Sequence, residues 1–371
     1  MKIIQVCPRY SPQIGGVETH VKELSRGLVE KGFEVEIYCA DSQNKKLSVE
    51  FIEGVKVFRC RSFAPNDSYY FSPILYDILK KSKYDVMHAH SYHAFPLLIG
   101  ALAKRKGKPL VTTFHYYGRG YSTFRSMLHA PYIVFGHYIV NSTKRIVCVS
   151  KNEKKIIENK FPFASEKTIH IPNGVNYERF ANSRPILDED GFKILYVGRL
   201  SPEKNLQTLF LAYKELQEKI ENTKLIIVGS GPSLFYLKKL SEHLSLRNLI
   251  WTSGISHELI ASYYKSADVF VLSSDKEVQC ISVLEAMASG LPVVLPYYDG
   301  VKDIVFNGET GLFFKNNNYH DLTEKLMRMN YDENLRKKMS KEAQKNIKNN
   351  FDWKILIPKY IELFHEVMAN E

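Results

Sequence analysis

The chain opens on a continuous apolar run, Ile3–Cys7, and then switches to apolar residues at helical spacing, with Val17, Val21, Leu24 and Leu28 on one stripe. A short apolar run suits a strand buried on both faces, whereas recurrence every three to four residues suits an amphipathic helix. The alternation continues. Strands are predicted at Glu34–Ala40, Val86–His90, Leu110–Phe114, Ile146–Ser150 and Ile169–Ile171, with an apolar helix over Phe95–Lys104. Such a series predicts a parallel sheet covered by helices on both faces.

Pro172, Asn173 and Gly174 break the pattern, and the irregular stretch that follows, to about Gly191, reads as a linker. The pattern then restarts. Strands are predicted at Lys193–Val197, Lys224–Val228, Leu249–Thr252, Val269–Leu272 and Pro292–Leu295, and helices at Leu206–Gln217, Ser233–Leu244, His257–Ser266 and Ile281–Ser289. The 371 residues therefore divide into two doubly wound, Rossmann-like α/β domains, 1–180 and 181–371. A closing helix over 353–368, apolar on one face, can pack back on either domain, the N-terminal one included.

Composition narrows the class. Hydrophobic residues make up 44% and charged residues 25% of the chain, values of a globular protein rather than a disordered one. There is no run of 18 apolar residues to span a bilayer, and the start lacks the basic region and long apolar stretch of a signal peptide, so a cytoplasmic location is expected. The five cysteines, Cys7, Cys39, Cys60, Cys148 and Cys280, are odd in number and far apart, which argues against a disulfide scaffold and a cysteine zinc site. The net charge of +11 is unevenly placed: the first 180 residues carry 27 Lys and Arg against 15 Asp and Glu. Such a face suits an anionic membrane, an acidic acceptor or a nucleic acid.

In doubly wound sheets ligands sit beyond the carboxyl ends of the strands, and the informative residues cluster there. Gly198-Arg199-Leu200 and Lys204-Asn205 follow the first strand of the second half, so two cations stand before a helix amino terminus, a combination that suits a diphosphate. Gly229-Ser230-Gly231 follows the next strand, where glycines permit close approach to the backbone, although the third glycine of a dinucleotide fingerprint is replaced by Leu234. Glu277 lies in a loop and Glu285 early in the following helix. Both carboxylates can accept hydrogen bonds from hydroxyl groups, near the open N–H groups of Cys280, Ile281, Ser282 and Val283. In the first half, Gly15 and Gly16 open a helix, His88 and His90 share one face of a strand, and His115 follows another. A zinc site would need more ligands at suitable spacing, and a lone histidine here is by default a satisfied core or loop residue.

Taken together these motifs resemble glycosyltransferase family 4. The resemblance runs from Gly15-Gly16-Val17-Glu18 to Asn307-Gly308 and Gly311-Leu312. Its most specific part is the glutamate pair Glu277 and Glu285 followed by Ala286-Met287-Ala288 and Gly290, Pro292 and Val293. The resemblance implies the GT-B fold, two Rossmann-like domains facing across a cleft. It also implies retaining transfer of a hexosyl group from a UDP- or GDP-linked sugar to a glycan or lipid-linked acceptor. Arg199 and Lys204 would hold the donor diphosphate, Glu285 the ribose and Glu277 the hydroxyls of the transferred sugar. Gly16 would approach the donor from the opposite domain, and His90 would stand near the sugar. Three departures stand out: Val278-Gln279-Cys280 where the family commonly has Gly-Phe-Gly, Ser230 for a frequent acidic residue, and Asn176 for a frequent Asp. On this resemblance the first of these segments touches the transferred sugar.

Catalysis on this reading is electrostatic, with no cofactor and no metal, because the two cations stand where a metal would act. The rival readings are a GT-B-shaped nucleotide-sugar epimerase and a nucleic-acid-binding protein. The basic residues form no recognised nucleic-acid motif, so nucleic acid is not an expected partner. The cluster Lys104, Arg105, Lys106 and Lys108 follows an apolar helix and precedes Tyr116, Tyr117, Tyr121, Phe124, Tyr132, Phe135 and Tyr138. Cations beside aromatic residues lead to an expectation of peripheral binding to an anionic membrane on the inner face of the cell membrane.

Overall fold

The predicted alternation forms two parallel sheets in the computed structural model, which describes residues 1–13, 15–41, 47–65, 69–118, 131–187, 190–274 and 276–369, the side chains of 131–134, 257 and 258 apart. One unit comprises Met1–Asn173 and the segment from Trp353; the other comprises Gly174–Asp352.

In the first unit, β1 (Lys2–Cys7), β2 (Glu34–Asp41), β3 (Ser48–Ile52), β4 (Val55–Arg61), β5 (Val86–His90), β6 (Leu110–Thr113), β7 (Arg145–Cys148) and β8 (Thr168–His170) form one sheet. Their order is β3-β4-β2-β1-β5-β6-β7-β8, and β3 is the antiparallel member. The chain builds outward from β1 on one side, then returns to β5 beside β1 and builds outward on the other. The order therefore reverses between β1 and β5, where Gln5 pairs in register with His88. Alternate residues face opposite ways along a strand. Ile4, Val6, Met87 and Ala89 belong to one buried cluster. Ile3, Cys7 and Val86 belong to another, which takes in Val21, Leu24 and Leu28 of helix Gly16–Glu30 and Leu356, Tyr360 and Phe364 of helix Trp353–Ala369. Gln5, His88 and His90 alternate onto this second face.

The division between units differs from the expected 180/181. The Asn173 side chain meets Nδ1 of His20 in the first unit at 2.9 Å, whereas the Val175 N–H donates to the Phe351 carbonyl in the second. The next residues, Tyr177–Ala181, form a short helix inside the segment read as linker; Asn176 caps it by accepting from the Arg179 N–H, so this departure from Asp keeps the capping function.

In the second unit, β9 (Phe192–Val197), β10 (Thr223–Val228), β11 (Leu249–Thr252), β12 (Val269–Val271), β13 (Val293–Pro296) and β14 (Gly311–Phe314) run parallel in the order β11-β10-β9-β12-β13-β14. Here the order reverses between β9 and β12. The predicted elements lie within one or two residues of the observed ones. The hairpin β3–β4, strand β14, and helices Pro73–Lys81, Pro131–Ser142, Lys151–Lys160, Tyr319–Tyr331 and Glu333–Asn350 are additions. The last of these buries Met339, Ala343 and Ile347 in an otherwise charged sequence, a stripe too sparse to read from the chain alone. All five cysteines are buried and unpaired. No helix among the described residues is long and apolar enough to cross a membrane.

Candidate functional site

The reversal of strand order in the second unit gathers its charged residues. Beyond β9 the chain passes through Gly198 and the exposed Arg199 to a 3-10 turn, Pro202–Lys204. Beyond β12 it passes through Ser273 and Ser274 to Glu277. The two loops meet: the Lys204 ammonium donates to Oε1 of Glu277, the Ser274 hydroxyl donates to the same oxygen at 2.9 Å, and the Ser273 hydroxyl donates to the Lys204 carbonyl at 2.7 Å. Burial alone would lower the Lys204 pKa, but the Glu277 charge outweighs it and holds the ammonium well above the usual lysine range. The sequence gives both residues to the donor, and it does not reveal that they pair with each other.

Helix Ile281–Ala288 starts from Cys280, which lies in extended backbone with its Sγ 3.1 Å from the Ser282 hydroxyl. The Cys280 carbonyl already accepts from the Val283 N–H at 3.2 Å, so Val283 drops out of the anion-binding set and the open turn is that of Ile281 and Ser282. Glu285 follows on the same helix. It is buried, and its Oε2 accepts a 2.9 Å hydrogen bond from the Tyr264 hydroxyl.

Gly229 and Gly231 have φ of +154° and +157°. A Cβ would stand 1.9 Å from the Gly198 carbonyl oxygen at the first position and 2.3 Å from the Leu200 carbonyl oxygen at the second. The Leu200 N–H also donates to the Ser230 carbonyl at 2.9 Å. The glycines are thus required by backbone packed on backbone: they dock the β10 loop beneath the loop that carries Arg199.

In the first unit Gly15 is the N-cap of helix Gly16–Glu30, and Gly16 is exposed. A Cβ on Gly15 would meet the Glu18 carboxylate, which pairs with Arg9 at 2.6 Å. His90, expected near the sugar, is packed against β1. It has no solvent exposure, and its Nε2 lies 2.8 Å from Oε1 of Gln5. His88 lies 2.8 Å from the Thr113 hydroxyl. The ring with partial exposure is His115, at the end of β6 with φ of +51° and with Nε2 lacking a hydrogen-bond partner among the described residues. His115 is legible in the sequence as a histidine just after a strand. His20, Tyr264 and Glu153 carry no local signal, and Asn173 shows only as part of the Pro172-Asn173-Gly174 break.

Burial holds His20 in its neutral form, with its pKa lowered to about 4 despite the Asn173 hydrogen bond that raises it, and burial lowers His88, His90 and His115 as well. Nitrogens of His20, His90 and His115 lie within 4.8 Å of one another, a set that could hold a metal ion. The set contains no carboxylate, and Nε2 of His20 is already 3.4 Å from the Tyr360 hydroxyl. Glu153, also buried, accepts from the Tyr116 and Val149 N–H groups, both at 2.6 Å, and so fixes the backbone just after His115.

Two doubly wound parallel sheets, the second carrying two cations, two carboxylates and a helix amino terminus at its reversal of strand order, define the class of GT-B transferases. A family model described as Glycosyltransferase Family 4 matches residues 14–179, and one described as Glycosyl transferases group 1 matches residues 179–346. The chain is similar to the alpha-monoglucosyldiacylglycerol synthase of Acholeplasma laidlawii, 28% identical over 362 residues that span 90% of this chain and 89% of that protein. It is similar to the UDP-Gal:alpha-D-GlcNAc-diphosphoundecaprenol alpha-1,3-galactosyltransferase of Escherichia coli, 27% identical over 97% of this chain and 96% of that one. Among solved structures, sucrose-phosphate synthase from Thermosynechococcus elongatus shares the fold with a TM-score of 0.81 at 20% identity, over 100% of both chains. The fold is GT-B, and the chain belongs to glycosyltransferase family 4.

Proposed function

We propose that this protein is a retaining, metal-independent glycosyltransferase that moves a hexosyl group from a UDP- or GDP-linked sugar to a lipid-linked or glycan acceptor at the cytoplasmic face of a membrane. The observation that carries the reading is the constellation at the carboxyl ends of β9 and β12, where Arg199, the Lys204–Glu277 pair, the first turn of helix Ile281–Ala288 and Glu285 lie at the reversal of strand order. Arg199, Lys204 and the helix amino terminus stabilise the negative charge that gathers on the departing diphosphate. Glu277 accepts from the sugar's hydroxyls and Glu285 from those of the ribose. The acceptor oxygen attacks the anomeric carbon on the face the diphosphate leaves: the new C–O bond forms as the old one breaks, and the acceptor's proton passes to a diphosphate oxygen. Configuration is thereby kept without a protein nucleophile.

A lipid acceptor is supported by the names of two relatives and by the surface of the first unit. Leu102, Phe135 and Tyr138 are exposed on the packed helices Phe95–Ala103 and Pro131–Ser142. Lys167 is lowered by burial and then by its neighbours Lys104 and Lys144, so three cations gather beside these helices. Of the expected membrane residues, Tyr116 is instead buried in the core, and Lys108 pairs with Asp85 at 3.7 Å. Tyr121, Phe124 and the Tyr132 side chain lie outside the described residues.

The reading is tested by incubating the protein with UDP- and GDP-hexoses and with diacylglycerol, polyprenyl-diphosphate-sugar and oligosaccharide acceptors, and assigning the product's anomeric configuration by NMR. An α-linked product from an α-linked donor supports it. An inverted product overturns the mechanism, and an epimerised donor formed without acceptor overturns the reaction class.

A further inference from the structure

Glu285 is buried, where a carboxylate without partners is costly. Its partner Tyr264 comes from a different helix, His257–Lys265, and is 1% exposed. The Tyr264 ring packs against Phe180 and Phe270, with centroids 5.7 and 5.8 Å away, and its hydroxyl donates to Oε2 of Glu285 at 2.9 Å. The same hydroxyl interacts with the Ser282 side chain, one turn earlier on the helix of Glu285. A phenylalanine would meet Phe180 and Phe270 as well as tyrosine does. The packing therefore does not call for the hydroxyl; the carboxylate does.

We infer that Tyr264 is a positioning residue for the nucleoside end of the donor: by holding the buried Glu285 carboxylate in one orientation, its hydroxyl sets where ribose hydroxyls can be accepted. The inference rests on the reading of Glu285 as the ribose-binding residue. A flexible carboxylate loses entropy each time it is fixed by a ligand, whereas one fixed beforehand does not. A desolvated carboxylate built to accept hydroxyls is also left short when the ligand lacks them, so the pair acts as a filter for ribonucleotides over deoxyribonucleotides.

The test is calorimetric titration of the full chain with UDP, GDP and the 2′,3′-dideoxy form of each, for the parent and Tyr264→Phe. The parent should prefer the ribo form of the base it binds. In Tyr264→Phe, affinity for that form should fall by about ten- to a hundredfold, the range for a hydrogen bond to a charged group, while affinity for the dideoxy form changes little. In turnover, KM for the donor should rise with kcat at saturation nearly unchanged. A Tyr264→Phe variant that keeps the parent's full preference overturns the inference. A parent that binds a nucleotide but ignores the ribose hydroxyls overturns the assignment of Glu285 itself, and the inference with it. Should Tyr264→Phe alone fail to fold, Glu285→Gln is compared with the double variant, whose buried amide no longer needs a charge-stabilising donor. Equal nucleotide affinities support action through Glu285, and a further loss in the double variant overturns it.

Discussion

The Lys204 ammonium and the Glu277 carboxylate form a salt bridge across the reversal of strand order in the second sheet, with Ser274 donating to the same carboxylate oxygen. The pair leaves Arg199 as the exposed cation of the constellation. On the proposed mechanism, a leaving diphosphate would draw on Lys204 in competition with Glu277.

Arg199→Ala and Lys204→Ala should each lower turnover by about 10²–10³-fold, the scale for losing one preorganised charge stabiliser. Lys204→Ala should also weaken binding of a bare nucleoside diphosphate, because it leaves the Glu277 charge uncompensated beside the anion. Steady-state kinetics and calorimetry on both variants check this; near-parental turnover in both would remove the diphosphate role.

Glu277→Gln releases Lys204 and removes a like charge. Nucleoside diphosphate binding should then tighten while sugar transfer falls. Calorimetry showing weaker nucleotide binding in Glu277→Gln would mean that the carboxylate serves the nucleotide rather than the sugar.

Transfer should survive excess chelator if, as proposed, Arg199 and Lys204 are the counter-charges of the diphosphate. Loss of activity restored by manganese or magnesium would overturn that chemistry. Loss restored by zinc alone would point instead to His20, His90 and His115, whose nitrogens lie within 4.8 Å of one another.

The buried imidazoles tie stability to acidity. Burial lowers the pKa of His20 to about 4 and depresses His88, His90 and His115, so the unfolded chain binds protons more readily than the native one. Their stabilising contribution is present above the unfolded value near 6.5 and is lost as pH falls toward the folded values. Each histidine can remove up to about 1.4 kcal/mol per pH unit over that window. Urea midpoints at pH 7.5, 6.0 and 5.0 should fall progressively. A constant midpoint would mean that the imidazoles are not neutral in the fold.

Anionic vesicles should retain the protein and neutral ones should not, with retention falling as salt screens the cations. Neutralising Lys104, Arg105, Lys106 and Lys108 together should release most of it, since each cation near the surface contributes about 1 kcal/mol. The salt bridge to Asp85 makes Lys108 the weakest of the four. Equal retention on phosphatidylcholine vesicles in a sedimentation assay would rule the patch out.

The sequence alone determined the strands of both units, β3, β4 and β14 apart, and the helices that start at Gly16, Phe95, Leu206, Leu234, His257, Ile281 and Trp353, because a strand buried on both faces must be continuously apolar and the helices over it must be striped. It also placed Arg199, Lys204 and Glu277 just after strands and Glu285 early in the next helix, because candidate ligand-binding groups in doubly wound sheets cluster beyond the carboxyl ends of the strands. The tertiary structure decided which of them meet. The Lys204–Glu277 pair spans 73 residues, Tyr264 to Glu285 spans 21, and His20 to Asn173 spans 153. It also buried His90 fully while leaving His115 partly exposed, and gave helix Trp353–Ala369 to the first unit. Strand order, register and the return of the final helix set these relations. All three depend on which faces bury each other, and periodicity within a single segment carries no record of its partner.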